Sequence, residues 1–189
     1  LPVAILRYRV TNPGIAAAKV SIAWSIENPV APAAARPSER PGRDTRLNEI
    51  KTGAGLAAVI MTNLGLARDD PRNGSFALSV LTPVEGRLTT LRGWPRGRWW
   101  NSPMLFWDDF SADGELGPEP TERNLVGTLC LQKTVEPGKS TEFTFLLAWH
   151  FPNRTPEHCG WRAPKGEEKT VIGNWYSTRF AGALEAAEY

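Results

Sequence analysis

A short segment rich in tryptophan and arginine is the first candidate site. Residues 93–100 read GWPRGRWW and hold three of the eight tryptophans of the chain. Indole rings beside guanidinium groups suit stacking on sugar rings, cation–π contacts or a protein interface. The alternative is a loop folded back so that its tryptophans close one end of the domain, and we favour that packing, or a domain interface, over a ligand surface. The interdomain or sugar-stacking candidates are Trp94, Arg96, Arg98, Trp99, Trp100 and Trp107.

An acidic segment follows directly. Alternate oxygen-bearing residues from Asp109 to Asp113, followed by Gly114, copy the opening of a calcium loop. The position of the closing bidentate glutamate is occupied by Pro120, so we expect an acidic turn whose carboxylates cap local N–H groups. The same carboxylates are candidates for a general acid and base, but neighbouring aspartates on one turn are usually solvated.

Few other residues could carry chemistry. The chain has two histidines and two cysteines, whereas zinc needs three or four spaced ligands. It contains neither a G-x-S-x-G nucleophile elbow nor the glycine-rich loops that hold phosphates. We therefore expect no catalytic residue, no metal and no cofactor. Cys130 and Cys159 suit a reducing compartment, which slightly favours the cytoplasm, but they are also compatible with one disulfide, so the location stays unknown.

Length and charge limit the possible partners. The chain has 189 residues, 41% of them hydrophobic, which is enough for one globular domain with a sizeable core. The 22 Lys and Arg residues against 20 Asp and Glu leave a net charge of +2, a poor match for nucleic acid. The longest apolar runs are far shorter than the ~20 residues that span a bilayer, so we predict no transmembrane segment.

Alternation of polar and apolar residues predicts strands. Residues 6–10 and 20–26 alternate with a period of two on either side of Asn12-Pro13-Gly14 and should form a hairpin. Residues 125–133 and 143–151 flank a tight turn at residues 136–139 and should pair as a second hairpin. Further strands are predicted at residues 56–64, 76–81 and 88–91. Short strands with frequent turns and no intervening helix predict an all-β fold, an antiparallel β-sandwich, with Trp24, Phe145, Leu147 and Trp149 in its core.

Two other segments lack the strand pattern. Residues 32–42 mix Ala, Pro, Arg and Ser without a period and are predicted to form a surface loop. From Asn174 the period becomes helical, with Tyr176, Phe180 and Leu184 on one face and Asn174 as the cap. Because no stop signal precedes Tyr189, we expect this one C-terminal helix to lead towards another domain rather than to pack on the sheet.

The last third of the chain carries a family resemblance. Residues 145–154 read FLLAWHFPNR and residues 173–180 read GNWYSTRF. These runs resemble the end of the N-terminal domain of glycoside hydrolase family 116, which contains β-glucosidases and non-lysosomal, bile-acid type glucosylceramidases. The runs YRVTNP at residues 8–13, WSIEN at residues 24–28 and FWDDFS at residues 106–111 look like the same domain, so the resemblance spans nearly the whole chain.

The resemblance implies an enzyme with two domains. Residues 1–172 would be a β-sandwich accessory domain, and residues 173–189 would begin a helix leading to an (α/α)6 catalytic barrel in the same polypeptide. In such enzymes a Glu nucleophile and an Asp acid/base in the barrel cleave β-glucosides, or glucosylceramide-like substrates, with retention. No carboxylate of this chain matches either role. The alternatives are a stand-alone carbohydrate-binding module, with exposed tryptophans, and a protein-interaction module that buries them against a partner.

Overall fold

The fold is built from two antiparallel β-sheets. The structure, a computed structural model, describes residues 1–31, 44–53, 55–98 and 100–189. In these residues the strands are β1 (Val3–Thr11), β2 (Ala18–Glu27), β3 (Arg46–Thr52), β4 (Leu56–Asn63), β5 (Ser75–Leu81), β6 (Arg87–Leu91), β7 (Val126–Val135) and β8 (Ser140–His150). One sheet has the order β1-β8-β5-β4-β3 and the other the order β2-β7-β6. The predicted all-β sandwich is confirmed, while the loop predicted at residues 32–42 lies outside the described residues.

The two predicted hairpins are wrong. β1 pairs with β8 and β2 pairs with β7, so each turn carries the chain from one sheet to the other. The two turns meet at Asn12, whose backbone N–H donates to the Lys139 carbonyl at 2.9 Å and whose carbonyl accepts from Gly138 at 2.8 Å. Turn residues signal a reversal of the chain, but they do not say whether the joined strands lie side by side or face to face.

The core lies between the two sheets. Phe143 and Phe145 are fully buried there, and Trp24 and Leu147 pack against the same cluster. Trp149 alternates onto the same face but is only half-buried and lies outside that cluster. It is the last residue but one of β8, where the strand gives way to a long loop.

The single helix predicted from Asn174 is wrong, because the structure has two shorter elements in its place. A 3-10 turn at Trp175–Thr178 is followed by a separate short helix, Ala183–Glu188. Gly182 between them is fully extended, and glycine is a poor helix former. Asn174 does not cap the turn; its side-chain amide instead donates to the Phe151 carbonyl at 2.7 Å. Contrary to the expectation, the short helix packs on the outer face of the five-stranded sheet.

Two helices, α1 (Ser102–Asp113) and α2 (Pro156–Cys159), were not predicted from the sequence. In place of the expected acidic turn, α1 covers the outer face of the three-stranded sheet. Asp109 therefore lies on a helix rather than in a calcium-loop geometry, and the helix ends at Gly114 in a left-handed conformation, φ 76°. Helix α2 has four residues and follows β8, and the helix at Ala183–Glu188 is α3. No helix in the described ranges is long and apolar enough to cross a bilayer.

Candidate functional site

The long connections of the chain meet at one end of the sandwich. Connections of three to six residues join β1 to β2, β3 to β4, β5 to β6 and β7 to β8 at the other end. The long ones follow β2, β4, β6 and β8, and we call their side of the molecule the long-loop end. Rigid strands that present long loops at one end are the usual support for binding surfaces. All the candidate residues named from the sequence lie in or beside the connection after β6.

Two buried asparagines hold the long-loop end together. The Asn28 amide donates to the Asn48 side-chain oxygen at 3.0 Å and to the Thr62 carbonyl at 3.0 Å. The Asn48 amide donates in turn to the carbonyls of Arg92 and Leu125, at 2.7 and 3.0 Å. Asn48 lies on β3, a strand that the sequence pattern missed because this buried polar residue interrupts the alternation. The network ties both sheets to the connection that leads to α1.

Trp94 is a packing residue of α1. Its ring stacks on Phe106 with a centroid distance of 4.5 Å and an interplanar angle of 19°. Its indole N–H donates to the Thr128 hydroxyl at 2.9 Å. Phe106 and Phe110 also stack, and together with Trp94 they cover Leu91, Leu116 and Cys130.

The outer face of α1 carries exposed apolar side chains beside the exposed Asp108 and Asp109. Trp107 is 60% exposed, Met104 57% and Leu105 37%, and Trp100, just before the helix, is 63% exposed. We call these four residues the α1 face. Trp99 lies outside the described residues. Two indoles, a thioether and an isobutyl group on one short segment form the kind of surface that partners cover.

The two candidate arginines do not form a site together with the α1 face. Arg98 is exposed, and Arg96 lines a polar cleft together with Arg46 and Arg123, a cleft that no described tryptophan lines. Arg46 pairs with Asp44 at 2.8 Å, and this hydrogen bond lowers the pKa of the Asp44 carboxyl and raises the pKa of Arg46.

A second aromatic surface at the long-loop end was missed. The Arg154 guanidinium lies 4.7 Å over the ring of Trp161, and the Arg179 guanidinium lies 5.3 Å over the ring of Trp175. Trp161 and Trp175 are 52% and 70% exposed. The FLLAWHFPNR run ends at Arg154, but no sequence pattern pairs that residue with Trp161, which lies in a loop without periodicity.

A pocket lies beside the first of these stacks. It has a volume of about 490 Å³ and is lined by Pro29, Ala31, Pro71, Arg72, Phe151, Arg154, His158, Cys159 and Asn174. We call it the arginine pocket. Arg72 is held by Asp70 through hydrogen bonds of 3.0 and 2.7 Å, which lower the pKa of the Asp70 carboxyl. Arg154, in contrast, makes no side-chain hydrogen bond or ion pair with any described residue.

The remaining reactive groups are dispersed. Cys130 and Cys159 are free thiols, and burial raises the pKa of Cys130 to about 11. No cluster of three or more His, Cys, Asp or Glu side chains in the described ranges could hold a metal ion. Asp109 and Asp113, the candidate acid and base, are exposed on α1.

Comparison with known protein families gives a match over the whole chain. A family model described as beta-glucosidase 2, glycosyl-hydrolase family 116 N-term, matches residues 1–189, the whole of the chain. No curated protein matches it. The match agrees with the resemblance carried by the FLLAWHFPNR and GNWYSTRF runs.

Proposed function

Because the chain belongs to the N-terminal domain family of glycoside hydrolase family 116, we propose that it is a non-catalytic accessory sandwich that supports a catalytic barrel. The barrel is a C-terminal part of the same polypeptide, and residues 173–189 lead towards it. The sandwich covers part of the barrel and shapes the rim of its substrate cleft. The substrates of the parent enzyme are β-glucosides, including glucosylceramide-like lipids.

The observation that carries this proposal is the α1 face. Met104, Leu105 and Trp107 are exposed, whereas Phe106 and Phe110 of the same helix pack against the three-stranded sheet. Surfaces of clustered tryptophan and methionine are typical of interface centres. Trp94 stacks on Phe106 of α1 and is hydrogen-bonded to the sheet, which fixes the orientation of the α1 face.

Supporting the barrel matters for the chemistry because retaining glycosidases work within narrow distances. Their two carboxyl groups lie about 5–5.5 Å apart, and small displacements of a catalytic group lower the rate strongly. A rigid domain packed on the barrel helps to hold this spacing. The buried Asn28–Asn48 pair makes the long-loop end suited to that task.

A second function is supported by the same residues. Exposed indoles such as Trp107 and Trp100 stack well on sugar rings, so a carbohydrate-binding module would also leave them in solvent. The two functions differ in what covers the α1 face: a glycan in one case, a protein domain in the other.

Activity measurements test the proposal. We expect the 189-residue chain to show no turnover of an aryl β-glucoside, and the product of the longer gene to hydrolyse it with retention. In the longer product, Trp107→Ala should lower the melting temperature, while in the 189-residue chain the same change should have little effect. Ile15→Ala, at the opposite end, is the matched control. Turnover by the short chain that is lost on replacing one of its own carboxylates would contradict the accessory role.

A further inference from the structure

We propose that the arginine pocket binds a small organic anion, with its carboxylate or phosphate group on Arg154 and its apolar body against Pro71 and Phe151. This inference goes beyond the proposed function and does not depend on it. The pocket volume of about 490 Å³ lies within the roughly 300–1,000 Å³ of small-molecule sites.

The state of Arg154 is the main evidence. Its Nε is buried, and it has no hydrogen-bond partner within the described part of the chain. Buried donors in folded proteins nearly always have a partner, so this unpaired donor beside a cavity points to an acceptor that binds there. The guanidinium is held by stacking on Trp161, which leaves its planar fork of donors for a carboxylate or phosphate.

The charge around the pocket favours an anion. Arg72 and Arg154 line it, and Asp70 pairs with Arg72 at 2.7 Å. None of the described lining residues is acidic. The imidazole of His158 and the amide of Asn174 add polar groups without negative charge, so one positive charge is left uncompensated.

The rest of the lining indicates the body of the ligand. Pro29, Ala31, Pro71 and Phe151 contribute apolar surface to the same pocket. Few polar groups are available for the many hydroxyls of a sugar. A ring or short chain bearing one anionic group therefore fits the lining better than inorganic phosphate or a neutral glycan.

Calorimetric titration of the 189-residue chain tests the proposal, with benzoate and phenyl phosphate as probes and benzamide as the neutral analogue. We expect at least one anionic probe to bind, and benzamide and inorganic phosphate to bind much more weakly. Whether benzoate or phenyl phosphate binds better identifies the anionic group. Arg154→Gln should weaken binding about tenfold or more. Arg179→Gln is the matched control, because it removes the same kind of arginine–indole stack outside the pocket and should leave the affinity unchanged.

Cys159 gives a second measurement. Its thiol lines the pocket, so a bound probe should slow its alkylation by iodoacetamide. Cys130 is buried with a raised pKa and should stay unmodified, which reports that the variants remain folded. Equal binding of benzamide and benzoate, undiminished binding by folded Arg154→Gln, or alkylation of Cys159 unaffected by saturating probe would each overturn the proposal. None of these results would bear on the accessory role, because neither a barrel nor a β-glucoside takes part.

Discussion

The indole N–H of Trp94 donates a 2.9 Å hydrogen bond to the hydroxyl of Thr128, a fully buried residue of β7. The Thr128 hydroxyl also lies 2.9 Å from that of Ser25 on β2. This contact fixes the connection before α1 to the middle of the three-stranded sheet. Trp94 is therefore a packing residue, whereas the ring of Trp107 faces solvent.

Replacing Trp94 by phenylalanine should keep an aromatic ring on Phe106 but remove the bond to Thr128. We expect the free energy of unfolding to fall by about 1 kcal/mol, the usual contribution of one hydrogen bond. Urea denaturation measures the change. Trp107→Phe, on the exposed side of the same helix, should alter stability by no more than about 0.5 kcal/mol. Equal losses from both variants would show that Trp94 does not anchor α1.

Asn48→Leu should destabilise the long-loop end. The change leaves the Arg92 carbonyl without its side-chain donor and removes one of the two donors to the Leu125 carbonyl, in a site where Asn48 is 3% exposed. We expect a loss of about 1–3 kcal/mol by chemical denaturation, since an acceptor in this buried site loses its partner. Asn73→Leu is the control, because that amide makes one exposed hydrogen bond, to the Ala67 carbonyl. A loss no larger than that of the control would refute the role of the network.

The Asp70–Arg72 pair predicts a pH dependence of stability. Arg72 holds the pKa of the Asp70 carboxyl below its usual range, so the folded state favours the charged form. The stabilisation is complete above the unfolded pKa of about 3.9 and is lost as the pH falls through the lower folded pKa. The difference in unfolding free energy between the parent chain and Asp70→Asn should therefore shrink below about pH 4. A difference that stays constant or grows on acidification would contradict this.

The fold class could be predicted from the sequence, but the pairing of strands could not. Alternation reports which face of a strand is buried, so the strands around Trp24 and Phe145 were found. It does not report the neighbour, and at Asn12 the chain changes sheets instead of forming a hairpin. β3 was missed because Asn48 breaks the alternation, and its burial depends on partners far away in the chain.

The candidate site was predicted only in part. Tryptophans were recognised by composition, but their division into packed Trp94 and exposed Trp107 depends on α1. The alternate oxygen-bearing residues from Asp109 to Asp113, followed by Gly114, indicated a turn, whereas the Phe106–Phe110 spacing, which stacks two rings on one helix face, was overlooked. The arginine pocket depends on contacts between distant loops, and no local pattern could have indicated it.

Hydroxyl-radical footprinting of the α1 face tests the central claim most directly. Met104 and Trp107 react readily with hydroxyl radicals, and in the 189-residue chain both should be oxidised because they are exposed. In the product of the longer gene, we predict that both are protected by the catalytic barrel, while exposed Ile15 at the opposite end reacts equally in the two proteins. Equal oxidation of Met104 and Trp107 in the two proteins would contradict the claim that α1 supports the barrel.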